Sequence, residues 1–267
     1  FFIENDIDTH IDQDIIKPYT IDWSNIPGGF AEILVRPTSV IQCGMILKTC
    51  QLCKIPITIS AGQTNLTGSA TPNGGVVLST QRLTSPDISI NIKNKTVSSP
   101  VGIPLEVMRN DVLKKSHNKL YYPVDPTSRC EAFVGGTLSC NASGFIPGEK
   151  GATRYWVKEI ELLLPNGDFI NVRRGQYISN DGYFIIKYEG KQIRLYVPTY
   201  KRPNIKNASG LFSNVSINKK ATDRRTRANK ENLCCVPRFK KAERIAIPTS
   251  SRLVSIIHSL QILSTYK

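Results

Sequence analysis

Apolar residues recur at intervals of three and four positions in two stretches of the chain. The first set comprises Val40, Cys43, Leu47 and Cys50, and the second comprises Leu105, Met108, Val112 and Leu113. This is the period of an amphipathic α-helix, so we predict helices over residues 40–53, capped by Ser39, and 105–116. The same spacing predicts that Cys43 and Cys50 lie in the core, because cysteine is among the residues most often buried.

Short apolar or alternating runs, bounded by Gly, Pro, Asn and Asp, predict β-strands around these helices. The predicted strands are 31–36, 55–59, 76–78, 88–92, 96–98, 119–125, 156–164, 169–173, 183–187 and 192–197. The strand–helix–strand–loop–strand order over residues 31–78 favours an α/β arrangement. The turn Pro165–Asp168 predicts a hairpin, and the last two strands are expected to continue the same sheet. Residues 1–26 are polar, acidic and irregular, which predicts an N-terminal arm.

The segment Ser60–Gly75, called the first loop, is rich in Gly, Ser, Thr and Asn and contains neither Asp nor Glu. Glycine lets backbone N–H groups approach a ligand closely, and Thr and Asn add donors, so this composition suits a diphosphate. The loop has neither the Walker A pattern nor the G-x-G-x-x-G spacing of the common dinucleotide fold. A solvated, turn-rich loop is an equal alternative from the residues alone.

A second stretch, residues 123–144, has a similar composition in Pro123–Ser128 and Gly135–Gly144. The two donor-rich segments would line opposite sides of one long ligand, or they would be unrelated surface loops. Tyr121 and Tyr122 precede the second stretch, and packing is the favoured role for two tyrosines in a predicted strand.

The net charge of +14 comes mostly from residues 201–244, which contribute +10 of it. A charge run confined to one segment is typical of a solvated stretch, and no aromatic residues alternate with it, so no nucleic-acid partner is expected. No apolar run is long enough for a transmembrane segment. The histidines His10, His117 and His258 are scattered, so no metal site is expected. The odd cysteine count favours reduced thiols and a cytoplasmic location, with peripheral membrane association left open.

Several short motifs occur in a fixed order over about residues 27–210. They are Val35–Ser39, the A-G-x-T-x-L-x-G core Ala61–Gly68, Gly74–Ser79, Tyr122–Pro126, Gly135–Gly136, Asn141–Gly144, Gly151–Arg154 and the Leu164–Gly167 turn. This ordered set resembles the PCMH-type FAD-binding domain of the vanillyl-alcohol oxidase and p-cresol methylhydroxylase superfamily. It is most similar to the flavin subunits of FAD-linked D-lactate, D-2-hydroxyglutarate and glycolate dehydrogenases.

The resemblance implies an α+β fold with two lobes: a small α/β lobe and a larger lobe of mixed and antiparallel sheet with helices, with FAD extended between them. The implied pyrophosphate contacts are Ala61, Gly62, Gln63, Thr64, Asn65, Leu66, Thr67 and Gly68. The implied contacts on the flavin and ribityl side are Pro126, Thr127, Ser128, Gly135, Gly136, Asn141, Ser143, Gly144, Gly151 and Thr153. Lys206 resembles a further family position near the flavin ring, although Leu211 replaces the usual Tyr of that motif.

Some relatives tether the flavin through a histidine of the first loop, where this chain has Gln63. No histidine lies between His10 and His117, so the resemblance implies non-covalent FAD. It also implies a dehydrogenase that passes hydride from a 2-hydroxy acid to the flavin, reoxidised by an electron acceptor or partner subunit. No catalytic residue can be named from this sequence.

The match to the family fades after Phe212. We therefore predict an N-terminal arm over residues 1–26, the FAD-binding domain over 27–212, a diverged or disordered basic segment over 213–247, and a helix over 248–267 that begins a cap domain. The chain starts at Phe1 without Met, which is typical of a fragment or a processed chain. An incomplete FAD-binding module that lacks its substrate domain is therefore the alternative to a complete dehydrogenase.

Overall fold

The structure is a computed structural model that describes residues 1–178, 180–181, 183–188 and 191–196. Lys206, the basic segment over 213–247 and the predicted helix over 248–267 lie outside the described residues.

Short helices and strands alternate along the described chain. The strands are β1 (Asp8–His10), β2 (Ile33–Arg36), β3 (Ile57–Ser60), β4 (Val76–Ser79), β5 (Ser89–Asn91), β6 (Thr96–Ser98), β7 (Glu159–Leu163), β8 (Phe169–Arg173), β9 (Tyr183–Tyr188) and β10 (Lys191–Tyr196). The helices are α1 (Gln13–Ile16), α2 (Val40–Leu52), α3 (Leu105–Lys115), α4 (Val134–Ser139) and α5 (Thr153–Trp156). Helical turns of the tighter 3-10 type cover Ile3–Asn5, Lys17–Tyr19 and Glu149–Gly151.

A four-stranded sheet with the order β1-β2-β4-β3 forms the small lobe. Strands β2 and β3 both run parallel to β4, and α2 makes the connection from β2 to β3. The Ser39 hydroxyl accepts a hydrogen bond from the Gln42 N–H at 3.2 Å and caps α2. Cys43 and Cys50 lie on its buried face. The predicted α/β arrangement, the cap and the core position of both cysteines are confirmed.

The N-terminal residues pack against this sheet, contrary to the expected irregular segment. Strand β1 pairs antiparallel with β2, and Ile7 and Ile16 are buried. Ile16 packs with Leu34 and Val77, one residue from each of two neighbouring strands. These contacts join residues far apart in sequence, so the short local pattern does not show them. The predicted domain boundary at residue 26 stays a prediction.

The larger lobe contains α3, α4 and antiparallel hairpins, and together the lobes give the predicted α+β fold. Its hairpins are β5–β6, β7–β8 and β9–β10. Helices α3 and α4 and the hairpins β5–β6 and β7–β8 surround the main hydrophobic core. Gly44 in α2 and Gly167 in the β7–β8 turn are in close backbone contact: a Cβ at Gly167 would lie 2.4 Å from the Gly44 carbonyl oxygen. The turn therefore anchors this hairpin on the small lobe.

Three details of the predicted strands are wrong. Residues 119–125 form no strand: Leu120 is an isolated bridge residue, and the Ser116 hydroxyl binds its N–H at 3.0 Å. Pro123 has no N–H group to donate to a neighbouring strand. The side chains of Leu120, Tyr122 and Val124 are nevertheless buried, as the alternating pattern predicts. The strand predicted over 156–164 begins only at Glu159, because Trp156 ends α5. In the described residues, β9 and β10 pair with each other and do not extend the β7–β8 sheet.

Candidate functional site

The first loop leaves the carboxyl end of β3 and returns to the start of β4. The carboxyl ends of parallel strands are where open α/β sheets bind ligands. Here the Ser60 carbonyl accepts the Thr80 N–H at 2.9 Å, which ties the start of the loop to the end of β4. Ser60 is fully buried, and the described residues give its hydroxyl no hydrogen-bond partner. The loop thus begins with a buried polar atom that can bind a ligand or a water molecule.

A run of backbone donors follows Ser60. Within the described part of the chain, no N–H group of the six residues Ala61–Leu66 donates a hydrogen bond to protein. The next turn is organised internally, because the Asn65 Oδ1 accepts the N–H groups of Thr67 at 3.2 Å and Ser69 at 2.9 Å. Successive free N–H groups in a turn form a concave site for an anion. This run is the chemical core of the candidate site.

The second stretch lies directly against the first loop. A Cβ on Gly62 would be 1.9 Å from the Glu131 carbonyl oxygen, and a Cβ on Gly136 would be 3.3 Å from the Ala61 Cβ. The chain can therefore make this contact only with glycine at position 62. The two stretches are therefore neighbours in the fold, as a single ligand lying between them would require.

The predicted contacts on the flavin side form two neighbouring groups. Pro126, Thr127 and Ser128 make a turn in which the Ser128 carbonyl accepts the N–H groups of Glu131 at 3.0 Å and Ala132 at 2.7 Å. This turn sets the position of the backbone that contacts Gly62. Gly135, in α4, donates its N–H to the Val101 carbonyl at 3.1 Å.

The remaining predicted contacts are held together by backbone pairing. Ser143 and Ala152 form an antiparallel bridge. Next to it the Gly144 N–H binds the Gly151 carbonyl at 3.0 Å. The Thr153 hydroxyl binds the Ala142 carbonyl at 2.8 Å.

Asn141, at φ +49°, is buried, and its Oδ1 accepts the Arg154 N–H at 2.8 Å. The structure thus brings Asn141, Ser143, Gly144, Gly151 and Thr153 together. Tyr122 is buried in the core beside Thr153, and burial raises the pKa of its hydroxyl, so it has the packing role favoured by the sequence.

Residues 18–24, called the N-terminal segment, also contact the first loop, and sequence reasoning missed them. The Gln63 side-chain amide donates to the carbonyl oxygens of Pro18 at 2.8 Å and Ile21 at 2.6 Å. The Trp23 N–H donates to the Gln63 carbonyl at 3.0 Å, and the Ala70 N–H donates to the Asp22 Oδ2 at 3.1 Å. No local motif signals these bonds, because they join residues at least 40 positions apart.

Asp22 is an acidic residue at a loop that has none of its own. Burial of its carboxyl opposes ionisation, but hydrogen bonds from Ser24, Ala70 and Asn65 outweigh burial and lower the pKa of Asp22. Oδ1 accepts from Ser24 and Oδ2 accepts from Ala70. The carboxylate is therefore engaged by protein donors and takes none of the N–H groups of Ala61–Leu66.

These features fit a diphosphate-containing cofactor. The unpaired N–H run and the buried Ser60 hydroxyl offer donors without a positively charged side chain, as a loop does when its backbone holds the phosphates. In the described residues, no three His, Cys, Asp or Glu side chains cluster in the way that a metal ion requires. None of the described helices combines the length and apolar character needed to cross a bilayer.

Comparison with known proteins agrees with this class of site. A family model described as an FAD binding domain matches residues 31–173, which is more than half of the 267-residue chain. Both the first loop and the second stretch lie inside this range. The chain therefore belongs to the FAD binding domain family.

Two curated relatives show the extent of the match. D-2-hydroxyglutarate dehydrogenase of Xanthomonas citri pv. viticola is 29% identical over 171 residues, covering 63% of this chain and 35% of the relative. D-lactate dehydrogenase of Anaerostipes hadrus is 29% identical over 177 residues, covering 66% of this chain and 36% of the relative. The chain thus spans about a third of the length of the curated relatives it matches.

Among solved structures, glucooligosaccharide oxidase from Acremonium strictum has a similar fold. It is 15% identical, with a TM-score of 0.54 over 64% of this chain and 35% of that one. Its flavin is named as 6-S-cysteinyl, 8α-N1-histidyl FAD. At this identity the likeness concerns the fold alone.

Proposed function

We propose that this chain binds FAD non-covalently, with the pyrophosphate on the unpaired N–H groups of Ala61–Leu66. This run of donors is the observation that carries the proposal. Thr67 and Gly68 complete the turn, and Gly62 lets the second stretch close against it. The ribityl chain and flavin would then lie against three groups of residues: Pro126–Ser128, Gly135–Gly136, and the group around Asn141 and Thr153.

We infer non-covalent binding from Gln63. Its side chain can form no covalent bond to flavin, and it donates instead to the N-terminal segment. Acid precipitation of the flavin-loaded protein should therefore release all flavin into the supernatant. Flavin retained in the precipitate would contradict this, and the variant Cys130→Ser would show whether the exposed thiol of the second stretch holds it.

The proposed reaction is the oxidation of a 2-hydroxy acid, for which the names of the curated relatives are the support. Bound FAD would supply the hydride acceptor. The described residues would bind and orient it and exclude water from its pyrophosphate, whereas no described side chain is assigned as the general base. Lys206, outside the described residues, is proposed to hold the polar edge of the flavin or an anionic substrate.

A catalytically incomplete FAD-binding module is the second candidate, and the coverage of about a third of the relatives favours it. Anaerobic addition of D-lactate, D-2-hydroxyglutarate or glycolate distinguishes the two. Bleaching of the flavin bands by one of them indicates the dehydrogenase. Flavin that stays oxidised with all three substrates indicates the incomplete binding module.

The proposal extends to the domain organisation of the chain, its electron acceptor and its location in the cell. We infer an FAD-binding domain over residues 27–212, followed by the basic segment and the first helix of a cap. A separate electron acceptor or partner subunit would reoxidise the flavin. Among the described cysteines, Cys43, Cys50, Cys53 and Cys130 are free thiols, which supports a reducing, cytoplasmic location. Thiol titration of freshly purified protein under denaturing conditions tests whether the cysteines are reduced.

A further inference from the structure

The first loop contains a residue in an unfavourable backbone conformation. Gln63 has φ +54°, in the left-handed region that non-glycine residues rarely adopt. Such a conformation persists only where surrounding contacts hold it. Gln63 lies in the middle of the unpaired N–H run, so its conformation decides where the neighbouring donors point.

The contacts that hold Gln63 come from the N-terminal segment. Its side-chain amide donates to the Pro18 and Ile21 carbonyls, and its own carbonyl accepts the Trp23 N–H. Three hydrogen bonds on one residue fix both its backbone and its side chain. None of the three bonds uses a backbone N–H group of Ala61–Leu66, so they hold Gln63 and leave the run of donors intact.

Asp22 fixes the far end of the same loop. It is 4% exposed, and its Oδ2 accepts the Ala70 N–H at 3.1 Å. A buried carboxylate is stable only when its oxygens are hydrogen-bonded, and charge-assisted bonds of this kind are the strong ones. Gly29 and Thr20 add a close backbone contact: a Cβ on Gly29 would lie 1.9 Å from the Thr20 carbonyl oxygen.

We propose that Asp22 and Gln63 are positioning residues that preorganise the first loop for the FAD pyrophosphate. They hold residues 61–70 in the binding shape before the cofactor arrives, so that FAD does not have to order the loop itself. This inference rests on the proposed function, because it takes FAD as the ligand of the loop. It makes residues 18–24 part of the cofactor site, not a separate arm.

The test compares FAD affinity with stability for matched variants of the full chain. Asp22→Asn keeps the shape and removes the charge, and Gln63→Met keeps the length and removes the donor. Asp12→Asn is the control for charge: Asp12 is exposed and caps α1 through the Asp14 N–H. Ser39→Ala is the control for stability, because it removes the cap of α2 outside the site.

The dissociation constant is measured by quenching of FAD fluorescence, at a temperature where each apoprotein is folded by circular dichroism. We expect Asp22→Asn and Gln63→Met each to raise the constant at least tenfold, while Asp12→Asn and Ser39→Ala leave it unchanged. A purely structural role would lower the unfolding midpoint without this change in affinity. If Asp22→Asn does not fold, the FAD affinity of Gln63→Met alone tests the positioning role.

Two failures are distinguishable. Wild-type protein that binds no FAD overturns the proposed function itself. Wild-type protein that binds FAD, together with positioning variants that bind it equally well, overturns only the role of Asp22 and Gln63.

Discussion

Single glycine positions determine whether the first loop and the second stretch, the two halves of the proposed cofactor site, can make contact. Gly62 is the tightest point, because any Cβ there would lie 1.9 Å from the Glu131 carbonyl oxygen. Gly136, on the other side of the contact, would place a Cβ at 3.3 Å from the Ala61 side chain. Replacing glycine by alanine should therefore have different consequences at positions 62 and 136, although both lie at this contact.

We expect Gly62→Ala to destabilise the apoprotein by about 1–3 kcal/mol, because the clash is with backbone and the second stretch must shift. FAD binding should be lost with it. Gly136→Ala should change the free energy of unfolding by less than about 1 kcal/mol, since alanine also has the better helix propensity in α4. Urea unfolding of both variants measures the difference. Equal free energies for Gly62→Ala and wild type would show that the contact between the stretches is not made.

Two hydrogen-bonded carboxylates, the half-buried Asp8 and the buried Asp22, predict the response of the fold to acid. Burial opposes ionisation of Asp8 and Asp22, but hydrogen bonds from Arg36 and Arg82 to Asp8, and from Ser24 and Ala70 to Asp22, outweigh it and lower both pKa values below 3.8. Such groups contribute stability that is fully present above pH 3.8 and is lost as the pH falls through their lowered pKa values.

Asp22→Asn should therefore remove part of this pH dependence. We expect the free energy of unfolding of the variant to vary less than that of wild type between pH 5 and pH 3, because the wild-type carboxylate takes up a proton on unfolding in this range and asparagine does not. Ser39→Ala should keep the pH dependence of wild type. Parallel curves for wild type and variant would show that the Asp22 carboxylate is not stabilised in the fold.

At this level, the sequence predicts the residues of the first loop as cofactor contacts but gives no sign of the residues that hydrogen-bond to the loop. The glycines and small polar residues of Ala61–Gly68 are recognisable because a phosphate cradle requires those types locally. Asp22 has no such signature, because it acts through a hydrogen bond to Ala70 formed only in the folded chain. Gln63 was placed in the cofactor loop, but the direction of its side chain depends on Pro18 and Ile21.

The helices and strands place this site through local signals and through long-range packing. Helix α2 is the local case: Ser39 caps its first turn and a buried face packs on the sheet. We expect Ser39→Ala to lower the free energy of unfolding by about 1 kcal/mol, because one helix N–H loses its acceptor. Urea unfolding measures this, with Ser39→Asp, which retains a capping oxygen, as the matched control.

Strand β1 and helix α1 are the long-range case. Ile16 is fully buried against Leu34 and Val77, whereas its neighbour Ile15 is 39% exposed. We expect Ile16→Ala to destabilise the protein by about 2–5 kcal/mol, through lost burial and a cavity beneath the sheet. Ile15→Ala should cost less than about 1 kcal/mol. Equal unfolding midpoints for the two variants would mean that the N-terminal residues do not pack on the sheet.

The elements that were predicted well carry a local pattern over their whole length. Helix α2 has the three- and four-residue period, and the hairpin β7–β8 has an Asn-Gly turn between apolar runs. Residues 119–125 carry the same alternation as a strand, and their prediction failed because their hydrogen-bond partners are side chains such as Ser116. Periodicity reports which side chains are buried, and it does not report what pairs with the backbone.

In the described part of the chain, the two lobes share the main hydrophobic core, which includes Cys43 and Leu47 of α2, and close backbone contacts also join them. Gly62 meets Glu131 at the proposed cofactor site, and Gly44 meets Gly167 away from it. Both contacts need glycine, and Gly62 and Gly167 each belong to one of the short motifs by which the sequence resembles the family. The match of residues 31–173 to the FAD binding domain family covers both contacts.

Binding of FAD is the claim on which the account depends. Purified protein should be incubated with excess FAD, passed through a desalting column, and examined for the flavin absorbance bands and for flavin released by acid. We expect equimolar FAD to remain with wild-type protein and little to remain with Gly62→Ala. A colourless wild-type protein, folded by circular dichroism and without flavin after reconstitution, would contradict the assignment of the first loop as an FAD site.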